Sequence, residues 1–335
     1  MLFFLSKKMN NLLILKMKIY HIKDEYHFYK NAFVYGDILT LNKSINQNKI
    51  QKLKFFNCVF FETSIFDLIK LLKKTNIYDL KFSNCKTMKL LNLFDKLPKT
   101  KIKKLEITRE SKFTIKYLFE SLPHTKIEYL KIDSCPLNEV DIYKNIEKSK
   151  LKTLILCYCS LEDYNIKKIS EILPQTKIEV LDLSSNKIKK EGANLLIESI
   201  TKSKISKLNL FSNNIGTAKK FIKTLPKTKL THLNIKCNGM LKKGYKLLIE
   251  KLPKTRITDF VFAYNMRQKI IFGNVFDSVV HNNKIKKYMI MFLFGLYEKH
   301  GKKSFIYKMS KSEIFEINLI KLIFSFLIKK VEFEY

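Results

Sequence analysis

The amino-acid sequence predicts an α/β solenoid, a stack of strand–helix units that places a curved parallel sheet on the concave face and helices on the convex face. Three observations predict it. An apolar skeleton recurs at a regular interval, a Leu-Pro turn precedes it at a fixed distance, and an amphipathic helical stretch fills the space between copies.

The skeleton is clearest in Leu173–Ile188, LPQTKIEVLDLSSNKI, where Ile178, Leu181, Leu183, Asn186 and Ile188 are its fixed points. The alternation across its first half is that of a strand with one buried face. Upstream copies are Ile50-Leu53-Phe55-Cys58-Phe60, Ile77-Leu80-Phe82-Cys85, Ile102-Leu105-Ile107, Ile127-Leu130-Ile132-Cys135-Leu137 and Leu151-Leu154-Leu156-Cys159-Leu161. Downstream copies are Ile205-Leu208-Leu210-Asn213-Ile215, Leu230-Leu233-Ile235-Asn238-Met240 and Ile257-Phe260-Phe262-Asn265, which makes nine at intervals of 24 to 27 residues.

Five residues before a copy stands Leu97-Pro98, Leu122-Pro123, Leu173-Pro174, Leu225-Pro226 or Leu252-Pro253. Proline cannot continue a helix and biases its predecessor away from helical angles, so each is expected to end a helix and turn the chain into the next strand. Between Asn186 and Ile200, Leu195, Leu196 and Ile200 are expected to form the inward stripe of such a helix.

In these residues the chain resembles the ribonuclease-inhibitor-like class of leucine-rich repeats, whose helix-bearing half reads N-x-I-x-x-E-G-A-x-x-L-x-x-x-L. The resemblance spans about Ile50 to Arg267, with shorter repeats than the class and the Glu-Gly-Ala turn only at Glu191-Gly192-Ala193. It implies a solenoid that binds partners rather than one that catalyses, with single-turn or irregular elements on parts of the convex side.

The expected domains are an N-terminal cap over 1–49, the nine-repeat array over 50–274, and a helical C-terminal cap or partner-binding segment over 275–335. The first cap holds a strand-like Lys18–Ile22 and a short helical stretch from Asp37 to Ile45. In the last, amphipathic helices are expected near Ile285–Lys299 and Ser312–Lys329. The second is similar to an F-box-like helix over Ser310–Leu327, which implies an alternative role as a substrate adaptor of a ubiquitin ligase.

Composition narrows the function. A hydrophobic content of 46% over 335 residues excludes a disordered chain. The start Met1–Leu5 meets Lys7 and Lys8 at once, unlike a secretory signal, and the longest apolar run, Met289–Tyr297, is far below the ~20 residues of a spanning helix. A cytoplasmic protein without membrane contact is expected. Cys58, Cys85, Cys135 and Cys159 occupy the Asn/Cys slot of the skeleton and are expected to be buried, reduced thiols. No phosphate loop, metal-ligand cluster or nucleophile motif occurs, and the six histidines are scattered, so no enzyme, cofactor or metal is expected.

The net charge of +34 invites a nucleic-acid reading, and its placement qualifies it. At the outward third, fifth and seventh positions of the copies, Lys52, Lys54, Lys81, Lys104, Lys131, Lys207 and Lys236 face Asp79, Glu106, Asp133, Asp182 and Asp259, close to balance. The excess lies at the residue before eight of the nine strand copies, in Lys49, Lys101, Lys126, Lys150, Lys177, Lys204, Lys229 and Arg256. Favourable interaction with the preceding helix C-terminus is the structural account, and an edge for an acidic partner or non-specific nucleic acid is the functional one. The expectation is a monomeric scaffold that binds a protein partner through Lys52, Lys54, Phe56, Lys81, Tyr129, Lys131, Asp182, Phe211, His232 and Lys236 on the concave face.

Overall fold

The computed structural model describes residues 18–262, apart from 30–31, 34–37, 39–40, 88–89, 140, 142 and 144, together with position 283. Asn265 and the C-terminal helices near 285–299 and 312–329 lie outside the described residues.

Each copy of the skeleton begins a strand. The strands are β4 (Lys52–Phe56), β6 (Asp79–Ser83), β8 (Lys104–Thr108), β9 (Tyr129–Asp133), β10 (Thr153–Cys157), β11 (Val180–Asp182), β12 (Lys207–Asn209), β13 (His232–Asn234) and β14 (Asp259–Val261). They pair in parallel and in sequence register, so that Leu53, Leu80, Leu105, Leu130, Leu154, Leu181, Leu208 and Leu233 form one row. All eight are buried, so a one-residue slip would turn a continuous leucine row to solvent.

The sheet begins before the first copy. β1 (Lys18–Ile22), where a strand was expected, forms an antiparallel hairpin with β2 (Glu25–Tyr29), and β2 lies parallel to β4 with Tyr26 opposite Leu53 and Phe28 opposite Phe55. The sequence reading missed β2 because Lys23 and Tyr26 stand where the skeleton has apolar Ile and Leu. Phe28, Phe55 and Phe82 stack with centroids 4.7 and 5.4 Å apart. The helix expected over 37–45 is described as α1 (Leu41–Gln47). A smaller sheet joins β3 (Ala32–Phe33), β5 (Val59–Phe60) and β7 (Lys86–Thr87).

The other described helices are α2 (Glu62–Lys74), α3 (Leu91–Lys96), α4 (Lys112–Ser121), α5 (Asp163–Ile172), α6 (Lys190–Thr201), α7 (Lys219–Thr224) and α8 (Lys242–Lys251). Between β9 and β10 no helix forms among the described residues; buried Tyr143 and Ile146 fill that space. Asn165 ties the segment down by donating from Nδ2 to the Asn138 carbonyl at 3.0 Å. In α6 the inward stripe is Leu196, Ile197 and Ile200, while Leu195 is 39% exposed, against expectation. Gly192 sets that phase: a Cβ there would lie 2.4 Å from Asp163 Oδ1, so only glycine lets α6 pack this closely on α5.

The α-helices end where the Leu-Pro turns begin, as expected. Each Leu-Pro-X triplet is a 3-10 turn that tightens the end of the helix, with proline in its first turn, where no intrahelical N–H is needed. The stop is the next residue. Thr100, Thr125, Thr176, Thr228 and Thr255 each donate from the hydroxyl to the leucine carbonyl at 2.7–2.9 Å. The same oxygen accepts the N–H two residues later, as Thr176 Oγ1 does from Ile178 at 3.4 Å. Ser149 and Ser203 repeat both bonds where no proline precedes them.

Strand ends have their own device. The eighth residue of every copy from Asn57 to Cys237 has a φ of 53 to 60°, the left-handed region, and none is glycine. From Asn57 to Ser212 its N–H reaches the seventh carbonyl of the following copy, as in Asn57 to Ser83, Arg109 to Asp133 and Ser185 to Phe211. That bond offsets the local strain of about 1 kcal/mol or more.

Candidate functional site

The outward face of the sheet divides into two chemically distinct halves. In the N-terminal half the charges neutralise one another. Lys52 lies 3.2 Å from both Asp24 and Glu25, Lys54 is 2.5 Å from Glu25, and His27 is 2.7 Å from the same carboxylate. Lys104 bridges Asp79 at 3.1 Å and Glu106 at 2.9 Å, and Lys81 meets Glu106 at 3.1 Å. Register explains the pairing: Asp79 sits opposite Lys104 and Lys81 opposite Glu106 on neighbouring strands.

These pairs shift the titrations. Burial opposes ionisation of Glu25, but hydrogen bonds from His27, Lys54 and Lys52 hold its carboxyl down at about 2. Burial likewise works against Glu106, and Lys104 and Lys81 together prevail and lower it. For Asp79, 3% exposed, burial wins and raises the carboxyl despite Lys104. Aromatic rings complete this surface: Phe56 stacks on Tyr29 at 4.8 Å with Lys81 5.6 Å from its centroid, and Lys104 lies 5.0 Å from the centre of Tyr129.

Lys131 is also engaged, 3.2 Å from Asp133. Of the ten residues expected to bind a partner, Lys52, Lys54, Phe56, Lys81, Tyr129 and Lys131 are therefore bound into the protein's own pairs.

The C-terminal half is built differently. At the fifth position of the copies Asp182, Asn209 and Asn234 turn back on their own chain and accept the N–H groups of Ser184, Phe211 and Lys236 at 2.8, 3.0 and 3.1 Å. Such turns compete with the ladder, which is why β11, β12 and β13 stop after three residues while the strands carrying Lys54, Lys81, Glu106 and Lys131 run to five. Asn209 Nδ2 also donates to Asp182 Oδ2 at 2.8 Å. The shortened strands leave a hollow of about 270 Å³ on the outward face, lined by Asp182, Lys207, Asn209, His232, Asn234 and Asp259 together with apolar Ile155, Val180 and Val261. His232 and Asp259 stay open at its rim, their side chains 40% and 61% exposed and 3.7 Å apart. Phe211 and Lys236 occupy the seventh positions beside it, half-buried.

Behind the face, the Asn/Cys slot stitches the repeats together. Asn186, Asn213 and Asn238 donate from Nδ2 to the sixth carbonyl of the preceding copy, on Leu156, Leu183 and Leu210, at 2.7–3.0 Å. Cys58 and Cys85 direct their thiols to the equivalent carbonyls of Phe28 and Phe55 at 3.4 and 3.5 Å, and Cys159 to that of Ile132 at 3.6 Å. All six cysteines are free, and those at the slot are buried, as expected. Burial pushes the Cys135 thiol up to about 11.

The model of the family described as Leucine Rich repeat matches residues 175–196, the stretch with the clearest skeleton. Residues 175–196 are a leucine-rich repeat, and the skeleton they carry is the one that recurs along the array. No curated protein matches the chain. Among solved structures, the chain is similar to leiomodin-1 actin-binding site 2, at 13% identity and a TM-score of 0.37 over 42% of this chain and 87% of that one. It is also similar to a tropomodulin C-terminal domain from Caenorhabditis elegans, at 11% identity and 0.29 over 61% and 96%. An internalin from Listeria monocytogenes is 14% identical, with 0.39 over 70% and 73%.

Among the described residues no group of His, Cys, Asp and Glu is placed to hold a metal ion, and no helix is long and apolar enough to cross a membrane.

Proposed function

We propose that this leucine-rich-repeat protein is a monomeric, cytoplasmic interaction scaffold that binds a protein partner through the C-terminal half of its sheet face. The observation that supports it most is the hollow itself: exposed polar groups, His232 and Asp259 among them, stand beside the outward apolar side chains of Ile155, Val180 and Val261, whereas the N-terminal half of the face is covered by close ion pairs. A binding face needs a desolvated centre with a polar rim, and this half supplies both. The free thiols support a reducing compartment.

The test is capture on the immobilised full chain, with the retained protein identified by mass spectrometry and its affinity then measured. Replacing Phe211 and His232 together with alanine should weaken binding on the order of tenfold or more, whereas Leu195→Ala on α6 should leave it unchanged. Binding that survives the first pair and is lost with the helix-face change would place the partner elsewhere.

A further inference from the structure

The strand-entry edge of the array carries more positive charge than the single row visible in the repeats. Every copy from Ile77 on is preceded by a buried or half-buried Ser or Thr with one residue on each side of it: Lys74 and Asn76, Lys99 and Lys101, His124 and Lys126, Lys148 and Lys150, Gln175 and Lys177, Lys202 and Lys204, Lys227 and Lys229, Lys254 and Arg256. With Lys49 ahead of them, all these residues are exposed.

The two rows have different causes. Lys99, His124, Lys227 and Lys254 stand in the last turn of a 3-10 segment, where the helix dipole favours a cation. The outer row lies beyond the capping threonine, and the dipole effect fades within that last turn. Acids are few beside it: Glu128 and Glu179 stand at the second positions, and Glu128 is taken by Lys152 at 2.9 Å. Among the described residues Lys101 donates to Asn76 Oδ1, and no ion pair forms at Lys49, Lys126, Lys150, Lys177, Lys204, Lys229 or Arg256. On the sheet face nearly the opposite holds.

The row is straight in register. The second residues of successive copies are joined by backbone bonds of 2.8–2.9 Å, from Tyr78 to Gln51 through Lys103, Glu128, Lys152, Glu179, Ser206, Thr231 and Thr258. At about 4.8 Å per strand the edge from Lys49 to Arg256 extends roughly 38 Å. Exposed large apolar groups lie elsewhere, on helices (Phe66, Phe113, Tyr117, Tyr164, Leu195) or at strands and their exits (Tyr20, Ile22, Phe61, Tyr158, Leu241, Val261).

We propose that this edge is a second binding surface, which takes the sugar–phosphate backbone of a nucleic acid without regard to sequence. A uniform row of point charges, with no aromatic platform and no apolar anchor, matches a polymer carrying one identical charge per unit. An acidic protein segment would need an apolar anchor for specificity that this edge does not provide. One strand of a duplex presents a phosphate about every 3.4 Å along the axis, so the edge is as long as about 11 such phosphates, and a more extended single strand places fewer along it.

The experiment is fluorescence anisotropy of labelled, mixed-sequence single-stranded oligonucleotides on the full chain across a salt series. Log affinity should fall against log salt with a slope near −0.7 per phosphate engaged, about −5 to −6 for the whole row. Lys101, Lys126, Lys177 and Lys229 changed together to Glu should remove about half of that slope and weaken binding at least tenfold at low salt, and the four Gln changes should do the same more mildly. The control reverses four exposed helix lysines, Lys73, Lys167, Lys190 and Lys219, which alters net charge equally. Equal loss in the control would overturn the proposal in favour of diffuse charge. Tighter binding of polyglutamate than of oligonucleotide would overturn it in favour of an acidic protein, and a wild-type slope near zero would overturn it outright. Circular dichroism of each variant distinguishes lost folding from lost binding.

Discussion

Thr176→Val is expected to destabilise the array by about 1–3 kcal/mol, although it keeps the volume of the side chain. Thr176 is 3% exposed, and its hydroxyl does two things at once: it donates to the Leu173 carbonyl at 2.9 Å and accepts the Ile178 N–H at 3.4 Å. The Leu173 carbonyl keeps a second bond, from the Thr176 N–H at 3.1 Å, so its loss is partial. The Ile178 amide has no such reserve and becomes a buried, unpaired donor, which accounts for most of the cost. Thr176→Ser is the matched control: it keeps both bonds, imitates Ser149 and Ser203, and loses a methyl group worth ~0.8 kcal/mol. Urea unfolding of the full chain followed by circular dichroism gives the midpoints, and exchange of the Ile178 amide gives the local effect. Equal midpoints for the Val and Ser variants would refute the hydroxyl's role, as would an Ile178 amide that stays as protected in the Val variant as in wild type.

Three other outcomes are expected. Leu181→Asp puts an unpaired charge between Leu154 and Leu208 at a fully buried position, costs more than about 4 kcal/mol, and should abolish the cooperative thermal melt; a normal melt would overturn the register. Thiol titration should find Cys58, Cys85, Cys135 and Cys159 unreactive until the chain is denatured, with half-buried Cys237 reacting first, and a native bridge between Cys58 and Cys85 by mass would refute it. Acid should weaken the N-terminal end: because the Glu25 carboxyl is held at about 2, below its ordinary 4.5, its contribution is complete above 4.5 and is lost as pH falls toward 2. Across that window wild type should lose ~1 kcal/mol more than Glu25→Gln in urea unfolding, and equal losses would remove Glu25 from the account.

The row of leucines was legible because burial of one strand face imposes a period of two that no other constraint disturbs, and the slot at Cys58 and Asn186 was legible because it recurs at one spacing. The threonine stop was visible as a letter in every Leu-Pro-X-Thr but not as a cause, since a hydroxyl's two partners depend on the turn it closes. The left-handed eighth residue left no trace at all: Asn57, Arg109, Tyr158 and Ser212 share a φ but no chemistry, because a hydrogen bond to the next copy holds the conformation that glycine would otherwise supply. Leu195 was misplaced because the phase of α6 is fixed by Gly192 against Asp163, a contact between repeats rather than a pattern within one. At the candidate site, counting signs gave the balance of charge on the sheet face. It could not show that Lys104 lies between Asp79 and Glu106, since that follows from register across strands.

The division of charge makes the two surfaces independent. Lys229 on the edge and His232 on the face belong to one repeat and are three residues apart, about 10 Å at ~3.3 Å per residue. The screening length at physiological salt is about 8 Å, so a reversed charge at Lys229 acts on His232 only through a screened, largely solvated path. Screening over that distance leaves roughly a third of the unscreened interaction, so a polyanion along the edge acts on the hollow only weakly. The same separation explains how a chain of +34 can keep a nearly neutral sheet face: the pairs that neutralise Lys52, Lys81 and Lys104 are made between neighbouring strands, where opposite charges meet across one rung. At the edge, eight of the nine rungs add a cation, Asn76 being the exception, and only Glu128 and Glu179 stand beside them, so the positive charge there accumulates along the array. Salt should consequently act on the two surfaces differently, weakening whatever binds the edge far more steeply than whatever binds the face.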